Sequence, residues 1–103
     1  MGANLWGTDL TAANLYGADL QPALLVDAKL PDSNLSDANL TAANLTGADL
    51  TGADLTGADL TNANLTNANL TGVTGLGSVT GLKSVTGLES AKGLPPDFLP
   101  STT

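Results

Sequence analysis

Residues 43–72 read ANLTGADLTGADLTGADLTNANLTNANLTG, a run in which leucine returns at every fifth position. The spacing extends upstream, so that leucine recurs without a gap from Leu5 to Leu70 and defines fourteen units. A small residue, nearly always alanine, stands two places before each leucine. Asn or Asp lies between them in twelve of the fourteen units, with Leu24 and Lys29 as the exceptions. The residues that follow each leucine are turn-formers, typically Thr-Gly or Thr-Asn.

A period of five residues matches neither the 3.6 residues of an α-helix nor the two residues of a long strand. It fits a three-residue strand followed by a two-residue corner. Strand alternation turns the alanine and leucine of each unit inward and its Asn or Asp outward. Gly or Asn at the corner tolerates the positive φ of a tight turn. We therefore predict a solenoid in which the leucines from Leu5 to Leu70, and the alanines before them, are almost fully buried.

The unit A-[DN]-L-x-x, as in residues 48–52, resembles the pentapeptide-repeat family, and the resemblance covers residues 3–72. It implies an all-β fold, a right-handed quadrilateral β-helix with four units in each twenty-residue coil. The chain is similar to cyanobacterial-type members of that family. We expect about 3.5 regular coils in residues 1–72, a looser coil in 73–94 and a proline-rich cap or tail in 95–103.

The proposed C-terminal coil has a period of six residues, with Val-Thr-Gly-Leu at 73–76, 79–82 and 85–88 and Ala-Lys-Gly-Leu at 91–94. An irregular glycine-rich tail is the alternative. Prolines at 95 and 96 cannot continue a ladder, because proline has no amide donor. We expect Leu94, Phe98 and Leu99 to fold over the open end of the last coil.

Positions twenty residues apart should stack if four units form one coil. That register places Lys29 between Asp9 and Asp49, a favourable arrangement across neighbouring strands. A fifteen-residue coil would instead place Lys29 between Asn14 and Asn44. The charge pattern favours twenty residues per coil.

The composition excludes several classes of protein. The formal net charge is −7, the isoelectric point is about 4.1, and three lysines are the only basic residues. Binding to nucleic acid or to an anionic membrane is disfavoured, because both need clustered cations. A basic segment followed by an apolar run is absent, as is any apolar stretch of about 20 residues. We predict no signal peptide and no membrane insertion, and a cytoplasmic location, with thylakoid association after processing as the alternative.

Residues that carry chemistry are scarce. The chain has no histidine or cysteine, and Glu89 is its only glutamate. Its serines and threonines therefore lack a base that would activate them. Asp27, Asp32 and Asp37 occupy successive corners and point apart, whereas calcium needs converging oxygens. We predict that the protein is not an enzyme and has no catalytic residue, cofactor or metal site.

The least polar outward positions of the five-residue repeat lie in its N-terminal half, at Trp6, Tyr16, Leu24 and Val26. Exposed apolar clusters often mark interaction sites, and Trp is a frequent anchor. The alternative is that Trp6 folds over the first coil as a cap. Because only two residues precede the first unit, we expect this coil to expose a strand edge that a second copy could pair with.

These features favour a structural or protein-interaction module, a rigid acidic rod that docks through its N-terminal coils onto a protein partner or larger assembly. The resemblance makes a photosynthetic complex one candidate assembly, because the family is abundant in cyanobacteria. The alternative, also implied by the resemblance, is a DNA mimic that inhibits or protects a topoisomerase such as gyrase. That function requires a long, uniformly anionic rod. Four to five coils at about 4.8 Å span only about 20–24 Å, and the outward positions are largely Asn and Thr.

Overall fold

The computed structural model describes residues 2–98, and its backbone forms a solenoid held by parallel β-bridges. From Asn4↔Leu24 to Asp54↔Thr74, every bridge joins residues twenty positions apart. The predicted twenty-residue coil is therefore confirmed, including the position of Lys29 between Asp9 and Asp49, and the fifteen-residue alternative is wrong.

The bridges form four columns, which we call sides 1 to 4 in chain order. Corner 1 follows side 1, and corners 2 to 4 follow in the same way. The residues of each column, listed from the first coil onward, are 4, 24, 44, 64 and 86 on side 1; 9, 29, 49, 69 and 92 on side 2; 14, 34, 54 and 74 on side 3; and 19, 39, 59 and 80 on side 4.

From Leu24 onward, each bridge residue connects its own coil to the preceding one through both of its backbone polar groups. Leu24 donates its N–H to the carbonyl of Ala3 at 2.8 Å, and its own carbonyl accepts the N–H of Leu5 at 2.8 Å. The pattern repeats along all four sides. Within residues 2–98 no strand is longer than these single bridges, because a corner interrupts the backbone after every three residues.

The leucine ladder fills the interior, as predicted, but its burial is not uniform. Every leucine of the ladder from Leu25 to Leu70 has at most 1% of its surface exposed. The prediction of near-complete burial is wrong for the first coil, where Leu5, Leu10, Leu15 and Leu20 are only half-buried. Ala3 is exposed for the same reason. Among the described residues, the first coil has a neighbouring layer on one side alone, so its apolar side chains are covered from one direction.

The outward Asn and Asp side chains stabilise the corners. In each case the Oδ1 atom accepts a hydrogen bond from the backbone N–H two residues later, as from Thr46 to Asn44 at 3.1 Å. Where that residue is threonine, its hydroxyl usually donates to the same oxygen, at 2.7 Å for this pair. Such local side-chain bonds favour turns over extended backbone. These residues are therefore structural parts of the repeat as well as a polar surface.

The six-residue units continue the solenoid, and each extra residue is taken up in a 3-10 turn. These turns span Leu76–Ser78, Leu82–Ser84 and Leu88–Ser90, and a fourth lies at Pro96–Phe98. The bridge separation accordingly grows to 21 residues at Asp59↔Thr80, then to 22 and finally to 23. An irregular tail, the alternative that the sequence left open, is contradicted for residues 73–92. The domain boundaries at residues 72 and 94 stay predictions.

Serines at every sixth position complete these turns. Corner N–H groups of the five-residue coils donate to a backbone carbonyl of the next coil, as Gly47 does to Thr66 at 2.8 Å. Under the six-residue coil a serine hydroxyl accepts instead, as Ser84 does from Asn62 at 2.9 Å. Ser78 and Ser90 do the same. The fourth unit has Pro96 at the equivalent position, which explains why the serine pattern stops there.

Two of the three residues predicted to form the C-terminal cap lie against the core. Leu94 is buried, and Phe98 packs against the core cluster. Leu99, the third residue expected in this cap, lies outside the described residues.

Ser33 is the one buried polar side chain at an inward alanine position of the described units. Its hydroxyl has no hydrogen-bond partner. Because a buried, unpaired hydroxyl costs about 1–3 kcal/mol, we expect Ser33→Ala to raise the free energy of unfolding by about 1 kcal/mol or more in urea denaturation. Ser36→Ala is the matched control and should lower stability slightly, since Ser36 donates to Asn34 at 2.5 Å. A destabilised Ser33→Ala variant would contradict the prediction.

Candidate docking surface

Trp6 and Val26 lie at corner 1 with Leu24 beside them on side 1, and we call this group the corner-1 patch. Trp6 is 60% exposed, and Leu24 and Val26 are half-buried. The coils are joined here by the N–H of Gly7, which donates to the carbonyl of Val26 at 2.9 Å. The alternative that Trp6 folds over the first coil is disfavoured by its large exposure. Trp6 and Val26 present apolar surface where the other corners of the repeat mostly have threonine or serine, and Leu24 does so where the other sides mostly have Asn or Asp.

Leu24 interrupts the ladder of corner hydrogen bonds. On side 1, Asn4 and Asn44 accept the N–H two residues later. Leu24 has no acceptor, and the N–H of Val26 makes no hydrogen bond to any of residues 2–98. Lys29 also lacks an acceptor, but the residue two places later is Pro31, which has no N–H to satisfy. The corner-1 patch thus combines apolar side chains with an available backbone donor.

Tyr16 does not join this patch within one chain. It is 62% exposed and lies at corner 3, diagonally across the solenoid from Trp6. Tyr16 follows Asn14, whose side chain accepts the Tyr16 N–H at 3.1 Å. The four residues predicted from the sequence therefore form one cluster of three and one separate aromatic, both at the N-terminal end of the described solenoid.

Several outward carboxylates are held in the ionised form by the corner hydrogen bonds. The hydroxyl and then the backbone N–H of Thr11 lower the pKa of Asp9 from its ordinary value. Thr51 lowers the pKa of Asp49 in the same way. The charge of Lys29 lowers both pKa values further, as the smallest of the contributing causes. The negative charges are thus fixed features of the surface at neutral pH.

The three corner aspartates of the second coil have positive φ values of 56–58°. Each directs a carboxylate oxygen over the backbone of the glycine one coil later. A Cβ atom at Gly47 would collide with Oδ1 of Asp27, and Gly52 and Gly57 are related to Asp32 and Asp37 in the same way. In the described part of the chain, no group of three or more carboxylates is placed to hold a metal ion. Their observed contact is with glycine.

A groove at the C-terminal end was not predicted from the sequence. It has a volume of about 310 Å³ and is lined by Leu82, Lys83, Val85, Leu88, Glu89 and Phe98. The available signal was the occurrence of charged residues, Lys83 and Glu89, at the same position of successive six-residue units. Among residues 2–98 no helix is long and apolar enough to cross a membrane.

A parallel, four-sided solenoid with inward leucine and alanine defines the class of protein to which this chain belongs. The family model of pentapeptide repeats matches eight copies in residues 2–32 and 33–72. The chain is therefore a member of the pentapeptide-repeat family, and the resemblance stated from its sequence is confirmed. The fold of that family is a right-handed β-helix. A search of curated proteins finds no match.

The solved structures that are similar to this chain include three other pentapeptide repeat proteins. HetL from Nostoc sp. PCC 7120, a pentapeptide repeat protein involved in heterocyst differentiation regulation, is 40% identical with a TM-score of 0.76. The match covers 85% of this chain and 39% of HetL. A second Nostoc pentapeptide repeat protein is 42% identical with a TM-score of 0.69, over 71% of this chain and 60% of its own length. A pentapeptide repeat protein of the Arabidopsis thaliana thylakoid lumen is 36% identical with a TM-score of 0.57. This match covers 94% of this chain and 72% of the Arabidopsis protein.

This chain thus spans less than two thirds of the two Nostoc proteins. Two of the three relatives are cyanobacterial, and the third belongs to a photosynthetic compartment of a plant.

Proposed function

We propose that this protein is a non-catalytic interaction module, a quadrilateral β-helix that binds a protein partner through the corner-1 patch. The observation that carries the proposal is Leu24. An Asn at this position would accept a hydrogen bond from the N–H of Val26. Leu24 cannot accept one, and it exposes an apolar side chain instead. A position where the local structural rule is broken without a compensating contact is a candidate for function.

The chemistry of the patch suits a protein ligand. Trp6 offers a large, rigid side chain of the kind that dominates binding energy at protein interfaces. The unpaired N–H of Val26 can donate to a carbonyl or carboxylate of the partner, and such a bond becomes worth more once water is excluded. Side 2 borders the patch with the carboxylates of Asp9 and Asp49 on either side of the Lys29 ammonium, so its rim carries charges of both signs.

The relatives suggest a setting for this activity. A regulatory complex in a cyanobacterium and a photosynthetic assembly at the thylakoid are the two settings that we propose, with a cytoplasmic location in the first case.

A DNA mimic acting on gyrase is the alternative, and the charge pattern argues against it. A mimic of duplex DNA needs regularly spaced anions along one face. On side 2 the column reads Asp9, Lys29, Asp49, and then the uncharged Asn69 and the cationic Lys92. Side 1 carries no carboxylate in its bridge column. We expect the purified protein to leave gyrase supercoiling unchanged, and inhibition in that assay would restore the alternative.

Leu24→Asn tests the docking proposal because it moves stability and binding in opposite directions. The new amide supplies an acceptor for the N–H of Val26, as Asn44 does for Thr46. We expect the free energy of unfolding to rise by about 0.5–1.5 kcal/mol. Capture of the native partner from an extract of the source organism should fall at least tenfold, as measured by immobilising the purified chain and quantifying the bound protein.

Asn64→Leu is the matched control, because it places an outward leucine on the same side two coils away. Thr66 would then lose its acceptor, so this variant should be less stable. If capture depends only on the number of exposed leucines, Asn64→Leu will bind more protein than the wild type. Unchanged capture by Leu24→Asn, despite the gain in stability, would refute the proposal.

A further inference from the structure

Side 1 is the one side of the described solenoid whose first four coils carry no charged residue. Its bridge column reads Asn4, Leu24, Asn44 and Asn64 in these coils and Thr86 in the fifth. The corner residues that border this column in the first four coils are uncharged as well. The carboxylates of these coils lie on sides 2 to 4 or at the corner positions next to those sides. A flat, neutral face therefore runs along a protein whose net charge is −7.

The fifth coil adds one charge at each edge of side 1. Lys83 lies in the 3-10 turn at corner 4, and Glu89 lies in the turn at corner 1. Both side chains are exposed. The bridge residue between them is Thr86, so two opposite charges border the same coil on its two edges.

A second copy of this chain fits side 1 because copies of an acidic protein repel one another wherever their carboxylates meet. We infer that two copies pack side by side, side 1 against side 1, around a two-fold axis parallel to the solenoid. This axis keeps the coils of the two copies in register. Each residue of the bridge column then faces its own counterpart, and corner 1 faces corner 4 of the second copy.

The charges of the fifth coil select this axis. Because corner 1 of each copy meets corner 4 of the other, Glu89 faces Lys83 of the second copy, once on each edge of the interface. An antiparallel arrangement would place the fifth coil against the first coil of the second copy, where corner 1 carries Trp6. Opposite charges across an interface fix its register, and the parallel arrangement alone pairs them here.

The same axis is unfavourable on every other side. Side 2 would oppose Asp9 to its own counterpart, side 3 would do so with Asp54, and side 4 with Asp59. Like charges directly opposite one another destabilise a contact. Side 1 instead opposes Leu24 to Leu24 and Asn44 to Asn44. The Oδ1 atom of Asn44 accepts the corner N–H with one lone pair, so its other lone pair and its NH₂ group can bond to the facing amide.

The size of the face predicts a weak contact. Five coils at about 4.8 Å give a height of about 24 Å, and the two shorter dimensions of the molecule are 23 and 21 Å. Two such faces bury about 1,000 Å² in total, the lower end of the range for specific interfaces, so the dimer should be reversible. Its geometry does not depend on the proposed function. The second copy would cover Leu24, however, and would compete with a partner for the corner-1 patch.

Sedimentation equilibrium of the 103-residue chain tests the dimer, with an expected mass at high concentration of twice 10.2 kDa. Lys83→Glu turns two attractive pairs into two repulsive ones, and we expect the dissociation constant to rise about tenfold. Lys92→Glu is the matched control, because it makes the same change of net charge in the same coil but on side 2. Equal weakening by the two variants would overturn the assignment to side 1.

A second pair of variants tests the centre of the face. Asn44→Asp opposes two carboxylates across the two-fold axis, and Asn34→Asp makes the same change on side 3. Both variants keep the Oδ1 acceptor for the corner N–H, so the fold is preserved. We expect Asn44→Asp alone to raise the dissociation constant, by about tenfold. A dissociation constant that Asn44→Asp leaves unchanged would also overturn the contact through side 1.

The double variant Lys83→Glu, Glu89→Lys identifies the axis. It restores opposite charges on facing corners at an unchanged net charge, so the wild-type dissociation constant should return. A double variant that stays as weak as Lys83→Glu would overturn the parallel axis, and a wild-type chain that stays monomeric up to its solubility limit would overturn the dimer itself. In either case, loss of partner capture by Leu24→Asn would still support the docking function, so the two proposals fail separately.

Discussion

Leu50→Asp should unfold the solenoid at neutral pH, with a loss of more than about 4 kcal/mol in the free energy of unfolding. Leu50 has 1% of its surface exposed and lies in the leucine ladder between Leu30 and Leu70. The substitution removes apolar contacts with the layers on both sides, which alone costs about 2–5 kcal/mol. It also places a carboxylate where no donor is available, and a buried, unpaired charge is strongly unfavourable.

Stacking makes this loss cooperative. A coil is held only by its neighbours, so disrupting the third coil removes one side of the support for the second and the fourth. Circular dichroism during urea titration measures the effect. Asn62→Asp is the matched control, since it adds the same charge at an exposed corner with a φ of 59°, close to the values at Asp27, Asp32 and Asp37. Unfolding of Leu50→Asp at the urea concentration of the wild type would contradict the proposed core.

The arrangement of inward and outward residues within each coil could be predicted because the same five-residue pattern occurs fourteen times in the sequence. Leucine at every fifth position specifies the inward ladder, and the single lysine among acidic neighbours is enough to choose twenty residues per coil. The burial of the first coil was overestimated because periodicity describes a unit within a stack. It does not include the loss of one neighbouring layer at an end.

The hydrogen bonds of the six-residue coil could not be predicted from the sequence. Its period was visible, but the role of Ser78, Ser84 and Ser90 depends on which backbone N–H of the preceding coil has lost its carbonyl partner. That N–H belongs to a residue 21–23 positions earlier. Only the stacked register reveals it. The groove beside Phe98 was missed for a similar reason, since its walls come from two successive six-residue units and from Phe98 beyond them.

The sequence indicated which residues form the candidate docking surface, but it did not indicate the hydrogen bond that is missing there. Leu24 stood out as a break in the Asn and Asp pattern, and Trp6 as the only tryptophan. The structure shows that the Asn of each unit accepts a hydrogen bond from the N–H two residues later. Because Leu24 cannot do so, the N–H of Val26 is left unpaired among residues 2–98. The separation of Tyr16 from the other three residues likewise follows from the corner at which it lies.

The glycines of the six-residue coil are expected to be far less replaceable than those of the five-residue corners. Gly87 has a φ of 86°, and a Cβ atom there would lie 2.6 Å from the backbone N and Cα atoms of Thr66. At Gly47 the obstructing atom is the end of the Asp27 side chain, which can rotate away. Only the first kind of contact forces two backbones apart.

Gly87→Ala should therefore lower the free energy of unfolding by about 2–4 kcal/mol, from the disfavoured φ together with the overpacked contact. The bridge between Asn64 and Thr86 is the structure at risk, because the N–H of Leu65 donates to the carbonyl of Thr86 at 2.8 Å. Amide hydrogen exchange should show faster exchange at Leu65, while amides of the second coil change less. Urea denaturation gives the overall loss.

Gly77→Ala provides the control within the same coil. A Cβ atom at Gly77 meets no atom within 4 Å, and its φ is outside the left-handed region. Alanine there should be neutral or stabilising by up to about 1 kcal/mol, because it restricts the unfolded chain. The two variants differ in the φ of the replaced glycine and in whether the preceding coil lies against the new methyl group. Equal stability of Gly87→Ala and Gly77→Ala would mean that the six-residue coil does not stack on residues 61–71, because the cost at Gly87 arises only from that contact and the turn that creates it.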